Sequence, residues 1–386
     1  MTVTVPAPDQ NFGEVFTRRW VVDVVLDLVG YTVGRPLGDL RLVEPSCGTG
    51  AFLLPAVERL IKSAKAERRA LTSLGKAIRA YDLQAGNVRT ARARCKSLLI
   101  DSGASPAVAA NLARQWVRQA DFLLSEIENE KIDFAVGNPP YIRYDDLFRE
   151  TSEEYRAKWR TMRGRGDIYI GFFERCLAML KPGGRVGFIC ADRWMRNQYG
   201  TALRELVARE YSVEQVWTMH DVDAFESKVS AYPAITVIAH GEQGPVVVAD
   251  AVSGFGDSAA RALVKWSQDG VGTSFRGSGV RGHRLPHWFE GASLWPAGTP
   301  ARLAMIEYLN DSCGPLHDPV RTGTRVSIGV ATGADKVYIT KDRAESNDHG
   351  DTWLASRSLK TSIGLRQFRV SRGLPFNRVA TLSSSA

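Results

Sequence analysis

Apolar residues recur at helical spacing between positions 17 and 31, at Trp20, Val21, Val24, Val25 and Leu28, and the run stops at Gly30. The period predicts an amphipathic helix that ends there. A short apolar strand, Leu40 to Val43, follows, then a glycine-containing turn and a second helix from Ala51 to about Ala66. The alternation continues with a strand at Ala77–Tyr81, a helix at Ala85–Lys96, strands at Trp116–Ala120 and Ile132–Val136, and a helix at Ile168–Leu180. The turn Lys181-Pro182-Gly183-Gly184 introduces a strand at Arg185–Cys190. A helix at Thr201–Arg209 then precedes strands at Val213–Met219 and Ala234–Ala239. Strands alternating with helices predict an α/β fold built on a mostly parallel, doubly wound sheet. The last two strands have no helical pattern between them, so an antiparallel pair is expected at one sheet edge.

The pattern changes after about residue 241. Residues 253–282 are rich in Gly and Ser without a clear period and read as loops and short strands. Gly291 to Pro300 reads as a linker and Ala301–Leu309 as helix-like. A strand-rich segment begins near Thr324, with Val326, Ile328 and Val330 alternating, then Val337–Thr340, and Thr381–Ala386 read as a frayed end. The expected organisation is an α/β unit over residues 1–245, an irregular connector over 246–320, and the start of a further, incomplete domain over 321–386, since about sixty residues are few for an independent core.

Charge adds a partner class. The 386 residues carry 50 Lys and Arg against 42 Asp and Glu, a net +8. Six of the basic residues (Arg357, Lys360, Arg366, Arg369, Arg372, Arg378) fall after Thr352 with no acid among them, so the rest of the chain carries only +2. That asymmetry points to a polyanion, nucleic acid first, with a solvated basic surface as the equal alternative. No run approaches 18 apolar residues, so no membrane span is expected. Met1–Gln10 lacks a basic stretch followed by an apolar one, so it does not read as a secretory signal. Five cysteines without close pairs fit a reducing cytoplasm better than a disulfide framework, and no Cys/His group has metal spacing.

Three motifs carry chemistry. The first, Glu44-Pro45-Ser46-Cys47-Gly48-Thr49-Gly50, sits between a strand and a helix, where α/β sheets bind ligands. A dinucleotide fingerprint would want a third glycine at Leu53, so a pyrophosphate site is disfavoured. The second is an acid after each of the next two strands: Asp82, followed by Leu83, and Asp121, followed by Phe122. The first carboxylate can accept both hydroxyls of a ribose and the second an exocyclic amine, with Phe122 able to cover a ring face. Either acid alone reads as a loop or cap residue. Together, behind a glycine turn, they indicate a nucleoside without phosphate, and S-adenosylmethionine is such a ligand.

The third motif is Asn138-Pro139-Pro140-Tyr141 at the end of the strand Ile132–Val136. An exocyclic amine is a poor nucleophile because its lone pair is conjugated into the ring. The Asn138 side-chain oxygen and the Pro139 carbonyl can each accept one N–H, pulling the nitrogen towards a tetrahedral shape and aiming its lone pair at a methyl donor. The prolines fix where the carbonyls point, and Tyr141 offers a face for a planar group.

On these residues the chain resembles the S-adenosylmethionine-dependent adenine-N6 DNA methyltransferases, in the γ order of motifs found in type II restriction–modification systems. The likeness covers roughly residues 11–240 and resumes at Val326-Ser327-Ile328-Gly329-Val330-Ala331-Thr332-Gly333, similar to the start of the family's recognition domain. The resemblance implies a Rossmann-like class I methyltransferase sheet followed by a short C-terminal target-recognition region. It places Glu44, Pro45, Ser46, Cys47, Gly48 and Gly50 at the cofactor, with Glu44 near its methionine end. Asp82 and Leu83 fall at the ribose, Asp121 and Phe122 at the adenine, and Asn138–Tyr141 at the methyl acceptor. Phe16-Thr17 matches a further cofactor-contact motif that usually continues with proline, where Arg18-Arg19 stand here. Phe225 resembles the aromatic that stacks on the far face of a flipped base, opposite Tyr141. Asp167-Ile168-Tyr169-Ile170 resembles the helix beside the cofactor pocket, core packing being the equal alternative.

The segment after the catalytic motif holds Arg156, Lys158, Arg160, Arg163 and Arg165 with no acid between them, and reads as a phosphate-contacting loop on double-stranded DNA or as a basic surface face. Arg89, Arg92, Arg94 and Lys96 read as solvated surface. The expected partners are DNA and a cognate restriction endonuclease, with no metal. Two alternatives remain open on sequence: an amine methyltransferase acting on protein glutamine or RNA, and a non-catalytic DNA-binding remnant.

Overall fold

The computed structural model describes residues 16–126, 131–164, 166–227, 232–289 and 291–295, with single positions 302, 305, 312, 320 and 323. The chain divides into two units, 1–303 and 304–386. The strand-rich segment from Thr324, the basic residues from Arg357 to Arg378 and the tail Thr381–Ala386 all lie outside the described residues, as does most of the helix-like stretch Ala301–Leu309.

Ten strands form one sheet: β1 (Leu42–Glu44), β2 (Ile78–Asp82), β3 (Val117–Gln119), β4 (Ile132–Gly137), β5 (Leu180–Ala191), β6 (Ser212–Thr218), β7 (Pro233–Ala239), β8 (Val246–Ala251), β9 (Ser274–Gly277) and β10 (Val280–Leu285). Their order is β3-β2-β1-β4-β5-β7-β6-β8-β10-β9. β1 to β5 pair in parallel, as do β6 and β8, while β7 runs against both β5 and β6 and β10 against both β8 and β9. Helices α1 (Arg19–Leu28), α2 (Leu53–Ala66), α3 (Ala85–Asp101), α4 (Pro106–Trp116), α5 (Arg149–Lys158), α6 (Tyr169–Met179), the one-turn α7 (Arg193–Arg196), α8 (Thr201–Glu210) and α9 (Asp257–Asp269) complete the unit. Among the described residues no helix is long and apolar enough to cross a membrane.

Central strands are buried on both faces, so they read as continuous apolar runs. Successive residues enter opposite layers. Phe134 and Val136 join one core cluster and Ala135 the other, and Ile189 separates from Phe188 and Cys190 in the same way. The first layer is completed by α1, α2, α3, α4 and α9, and the second by α6 and α8. Approach is close at Gly187, where a Cβ would lie 2.4 Å from Val29 Cγ1, so only glycine lets the end of α1 settle on β5.

In the second layer, Arg204 of α8 is 1% exposed and spends its guanidinium on main-chain carbonyls of Trp194, Asn197 (2.9 Å) and Ala292 (3.0 Å). Gly200 admits this arrangement: a Cβ there would sit 1.8 Å from the Trp194 carbonyl oxygen. Gly200→Ala is therefore expected to destabilise the unit by about 3 kcal/mol, because backbone must move. A thermal unfolding midpoint equal to that of the parent chain would refute this.

Three features differ from the sequence expectation. The antiparallel strand is interior, not at an edge: β7 inserts between β5 and β6, and the sheet continues beyond β6. The stretch from residue 246, expected to be irregular, supplies β8, β9, β10 and α9 to the same sheet unit. Its helix is amphipathic after all, burying Ala260, Leu263, Val264 and Ser267 at helical spacing and stopping at Gly270 in the left-handed region (φ 70°). Finally, α4 was not anticipated. Ser105 caps it by accepting from Val108 N–H, and Pro106 opens it.

Candidate functional site

The motif residues meet at the carboxyl ends of β1, β2, β3 and β4. The space of a Cβ at Gly137, the last residue of β4, lies 3.6 Å from Pro45 Cδ and 3.8 Å from Glu44 Cγ, so the first and third motifs stand side by side. Ser46 Oγ donates to the Asn138 carbonyl (3.4 Å) across the same gap. The turn after β1 is held open by Gly48 and Gly50 in the left-handed region (φ 51° and 108°). Cys47 N–H donates to the Tyr81 carbonyl (2.8 Å), and its thiol, pushed well up by burial, contributes no charge.

Asp82 closes this turn. One carboxylate oxygen accepts from Gly48 N–H (2.9 Å), and the other from Gln84 N–H (2.8 Å) and Asn87 Nδ2 (3.3 Å). Burial raises its carboxyl, opposed by these three bonds. The cap role and the ligand role are thus compatible, since the first oxygen keeps a second acceptor position. The Leu83 carbonyl accepts from Gln119 Nε2 (3.3 Å), tying the loop to β3.

Glu44 is 1% exposed. Burial, with Asp82 nearby, pushes its carboxyl well above the usual range, against a bond from Phe52 N–H. Its Oε2 has no hydrogen-bond partner among the described residues. A buried polar oxygen of that kind calls for a hydrogen-bonding partner.

Asn138 is oriented from an unexpected direction. Its Nδ2 donates to Thr17 Oγ1 (3.3 Å), which turns Oδ1 away from Thr17. Thr17 is placed by a strand-like bridge to Phe225, flanked by Arg18 N–H to the Ala224 carbonyl (3.0 Å) and Glu226 N–H to the Phe16 carbonyl (2.9 Å). A proline at position 18 could not make the first of these bonds, although Arg18 keeps a proline-like φ of −61°. Phe225 is 5% exposed and packs into the first core layer, so it anchors this bridge more than it offers an open face. Tyr141 is half-buried, with its hydroxyl donating to the Ile189 carbonyl (3.4 Å) and its ring edge-on to Tyr169.

Asp121 sits at the head of a turn that α5 and α6 grip. Its Oδ1 accepts from Leu123 N–H (2.8 Å) and Leu124 N–H (3.1 Å), and its Oδ2 from the Tyr155 hydroxyl (2.8 Å). Phe122 packs with Tyr81 and Phe172 and lies under the Arg175 guanidinium.

The basic segment is largely committed to the protein. Arg156 donates to Tyr144 Oη and the Arg163 carbonyl (both 2.8 Å), and Lys158 to the Leu124 carbonyl (2.7 Å). Arg160 pairs with Glu205 (3.1 Å) in an exposed contact that a phosphate could displace. Among the described residues Arg163 alone of the set is exposed and uncommitted, and Arg165 lies outside them. Tyr155, Trp159 and Arg175 had no sequence signal, since their partners are about thirty to fifty residues away in the chain.

A cavity of about 360 Å³ lies elsewhere, near the starts of β5, β6 and β8, lined by Asp27, Arg185, Glu214 and Gln268 among others. Its Arg185 and Glu214 pair with each other at 2.6 and 3.0 Å, and it contains none of the motif residues.

Comparison with known proteins gives a consistent answer. Residues 67–225 match the family described as Eco57I restriction-modification methylase. The chain is 40% identical over 344 residues to the type II methyltransferase M.XhoI of Xanthomonas vasicola, covering 86% of this chain and 60% of that one. It is 41% identical over 330 residues to M.PaeR7I of Pseudomonas aeruginosa, covering 85% and 56%. The chain thus spans about 60% of the length of these curated relatives. Among solved structures, the methyltransferase subunit of a type I restriction-modification system from Streptococcus thermophilus superposes with a TM-score of 0.53 at 14% identity, covering 72% of this chain and 57% of that one. That likeness extends to the fold alone.

Proposed function

We propose that this chain, whose residues 67–225 match the Eco57I restriction-modification methylase family and which is similar to type II methyltransferases, transfers a methyl group from S-adenosylmethionine to N6 of an adenine flipped out of double-stranded DNA. The observation that carries the reading is the convergence of Glu44, Asp82, Asp121 and Asn138 at the carboxyl ends of neighbouring strands, with the amide of Asn138 held by Thr17.

The residues fit this cofactor. The Oε2 of Glu44 suits the ammonium of the methionine part, and Asp82 keeps an acceptor for the ribose, as Asp121 does for the adenine amine. When bound, S-adenosylmethionine supplies an electrophilic methyl on a sulfonium. Asn138 Oδ1 and the Pro139 carbonyl each take one N–H of the target amine, which fixes its lone pair in direction. Tyr141 covers the base, and its extrusion costs a few kcal/mol that pocket contacts recover in part. Arg163, with Arg160 released from Glu205, meets the DNA backbone. Cleavage of unmodified DNA falls to a cognate endonuclease.

Glu44 makes the cofactor assignment testable by pH. Its folded carboxyl lies above the ordinary 4.5. The contribution of Glu44 to the stability of the cofactor-free protein is therefore greatest below that value and is lost as pH rises towards the folded one. Glu44→Gln is expected to flatten this dependence, raise the melting midpoint at pH 8 by about 3 °C, and weaken cofactor binding about ten-fold. Unchanged affinity in calorimetry would remove Glu44 from the site.

Supplying the chain with methyl-labelled S-adenosylmethionine together with plasmid DNA, RNA and a protein extract tests the substrate class. Label in DNA is expected. Label confined to protein or RNA would establish the alternative amine-methyltransferase reading instead.

A further inference from the structure

We propose that Tyr155 is a positioning residue that leaves the Asp121 carboxylate with one acceptor site, aimed at the amine of a 6-aminopurine, so that helix α5 sets the base selectivity of the cofactor pocket. The proposal rests on the methyltransferase reading above and extends it to a residue outside the recognised motifs.

A carboxylate has about four acceptor positions, two on each oxygen. At Asp121 the two on Oδ1 are filled by Leu123 N–H (2.8 Å) and Leu124 N–H (3.1 Å). One of the two on Oδ2 is filled by the Tyr155 hydroxyl at 2.8 Å. A single position remains, and its direction is set by the other three bonds. Tyr155 is 6% exposed, so water cannot take its place freely, and with Ser152 it forms the buried side of α5. Burial and the Asp121 charge push its phenol far up, which keeps it a donor.

Other residues of the same segment hold only the turn's main chain. Trp159 Nε1 donates to the Leu123 carbonyl (2.9 Å) and Lys158 Nζ to the Leu124 carbonyl (2.7 Å). Arg175 of α6 donates to the carbonyls of Ser125 (2.8 Å) and Phe122. Of these four side chains Tyr155 alone touches the carboxylate. Removing its hydroxyl leaves the turn clamped and frees Oδ2, which separates aiming from anchoring. A 6-oxopurine places a carbonyl oxygen where the amine would be, and an aimed carboxylate repels it.

The test is calorimetric binding of S-adenosylhomocysteine and its 6-oxo (inosine) analogue to the full chain, its Tyr155→Phe and Asp121→Asn variants, and the double variant. The parent chain is expected to prefer the adenine form about ten-fold or more. Tyr155→Phe narrows that ratio about five-fold, chiefly by weakening the adenine form, and has no further effect on it in the Asp121→Asn background. Equal weakening of both nucleosides would reduce Tyr155 to an anchor for α5 and overturn the proposal, as would an unchanged ratio. A parent chain that binds neither nucleoside would instead bring down the methyltransferase reading from which the proposal starts.

Discussion

Replacing Asn138 by alanine is expected to lower the proposed methyl transfer by a factor of about 10² to 10³ and to leave cofactor affinity within about three-fold of the parent value. The two effects separate because of where Asn138 stands. It directly follows β4, beside Pro45 and Glu44 across Gly137, and its amide is held by Thr17 through Nδ2, with Oδ1 at the other end. The contacts assigned to the cofactor come from other residues. Truncation removes one of the two acceptors proposed for the target amine and touches neither Asp82 nor Asp121. Single-turnover rates and equilibrium binding, measured on the same preparation, read the two quantities independently. A variant that loses both in parallel would place Asn138 in cofactor binding. One that loses neither would remove it from the reaction.

Asp82→Ala is the largest expected effect on binding: about a hundred-fold loss of cofactor affinity together with about 2 kcal/mol of stability. The carboxylate satisfies two backbone N–H groups, one at the glycine turn and one at the start of α3, besides the Asn87 amide. Alanine orphans these donors, and Gly48, already in the left-handed region, loses the bond that holds it. The acceptor proposed for the ribose would disappear at the same time. Asp82→Asn retains an acceptor for one of the donors, so its stability cost is smaller while the loss of affinity persists. Thermal unfolding and calorimetry of both variants distinguish the roles. Unimpaired cofactor binding by the alanine variant would reduce Asp82 to a cap.

Legibility in the sequence followed locality. β1, β2 and β4 are short apolar runs with a turn residue or acid at one end, and each motif lies at the junction it marks, so the glycine turn, the two acids and Asn138–Tyr141 are legible as strand-end residues in the sequence. Helix α9 was equally local. Ala260, Leu263, Val264 and Ser267 recur at helical spacing, but flanking glycines and serines masked the period. The position of β7 was not readable, because strand order depends on pairings between segments tens of residues apart, and nothing in Pro233–Ala239 states that β6 lies outside it. Side-chain commitments were the least readable. A run of five cations looks the same whether it faces phosphate or, like Arg156 and Lys158, main-chain carbonyls of its own fold. Phe225 likewise reads as a stacking platform, whereas in the fold it is buried behind Thr17.

The bridge between Phe16–Arg18 and Ala224–Glu226 has a mechanistic consequence. It brings a segment before α1 and the loop between β6 and β7 to the same point as the end of β4, so the orientation of Asn138 depends on three distant parts of the chain. The Asn138 amide is thus supported by Phe16–Arg18, which precede the matched family region at residues 67–225, and by Ala224 and Phe225 at that region's end.

The central claim is transfer to N6 of adenine, and nucleoside mass spectrometry of DNA incubated with the chain and S-adenosylmethionine carrying a deuterated methyl group tests it most directly. Deuterated N6-methyladenine is the labelled nucleoside expected. Label on cytosine, or no label in DNA while protein or RNA acquires it, would contradict it.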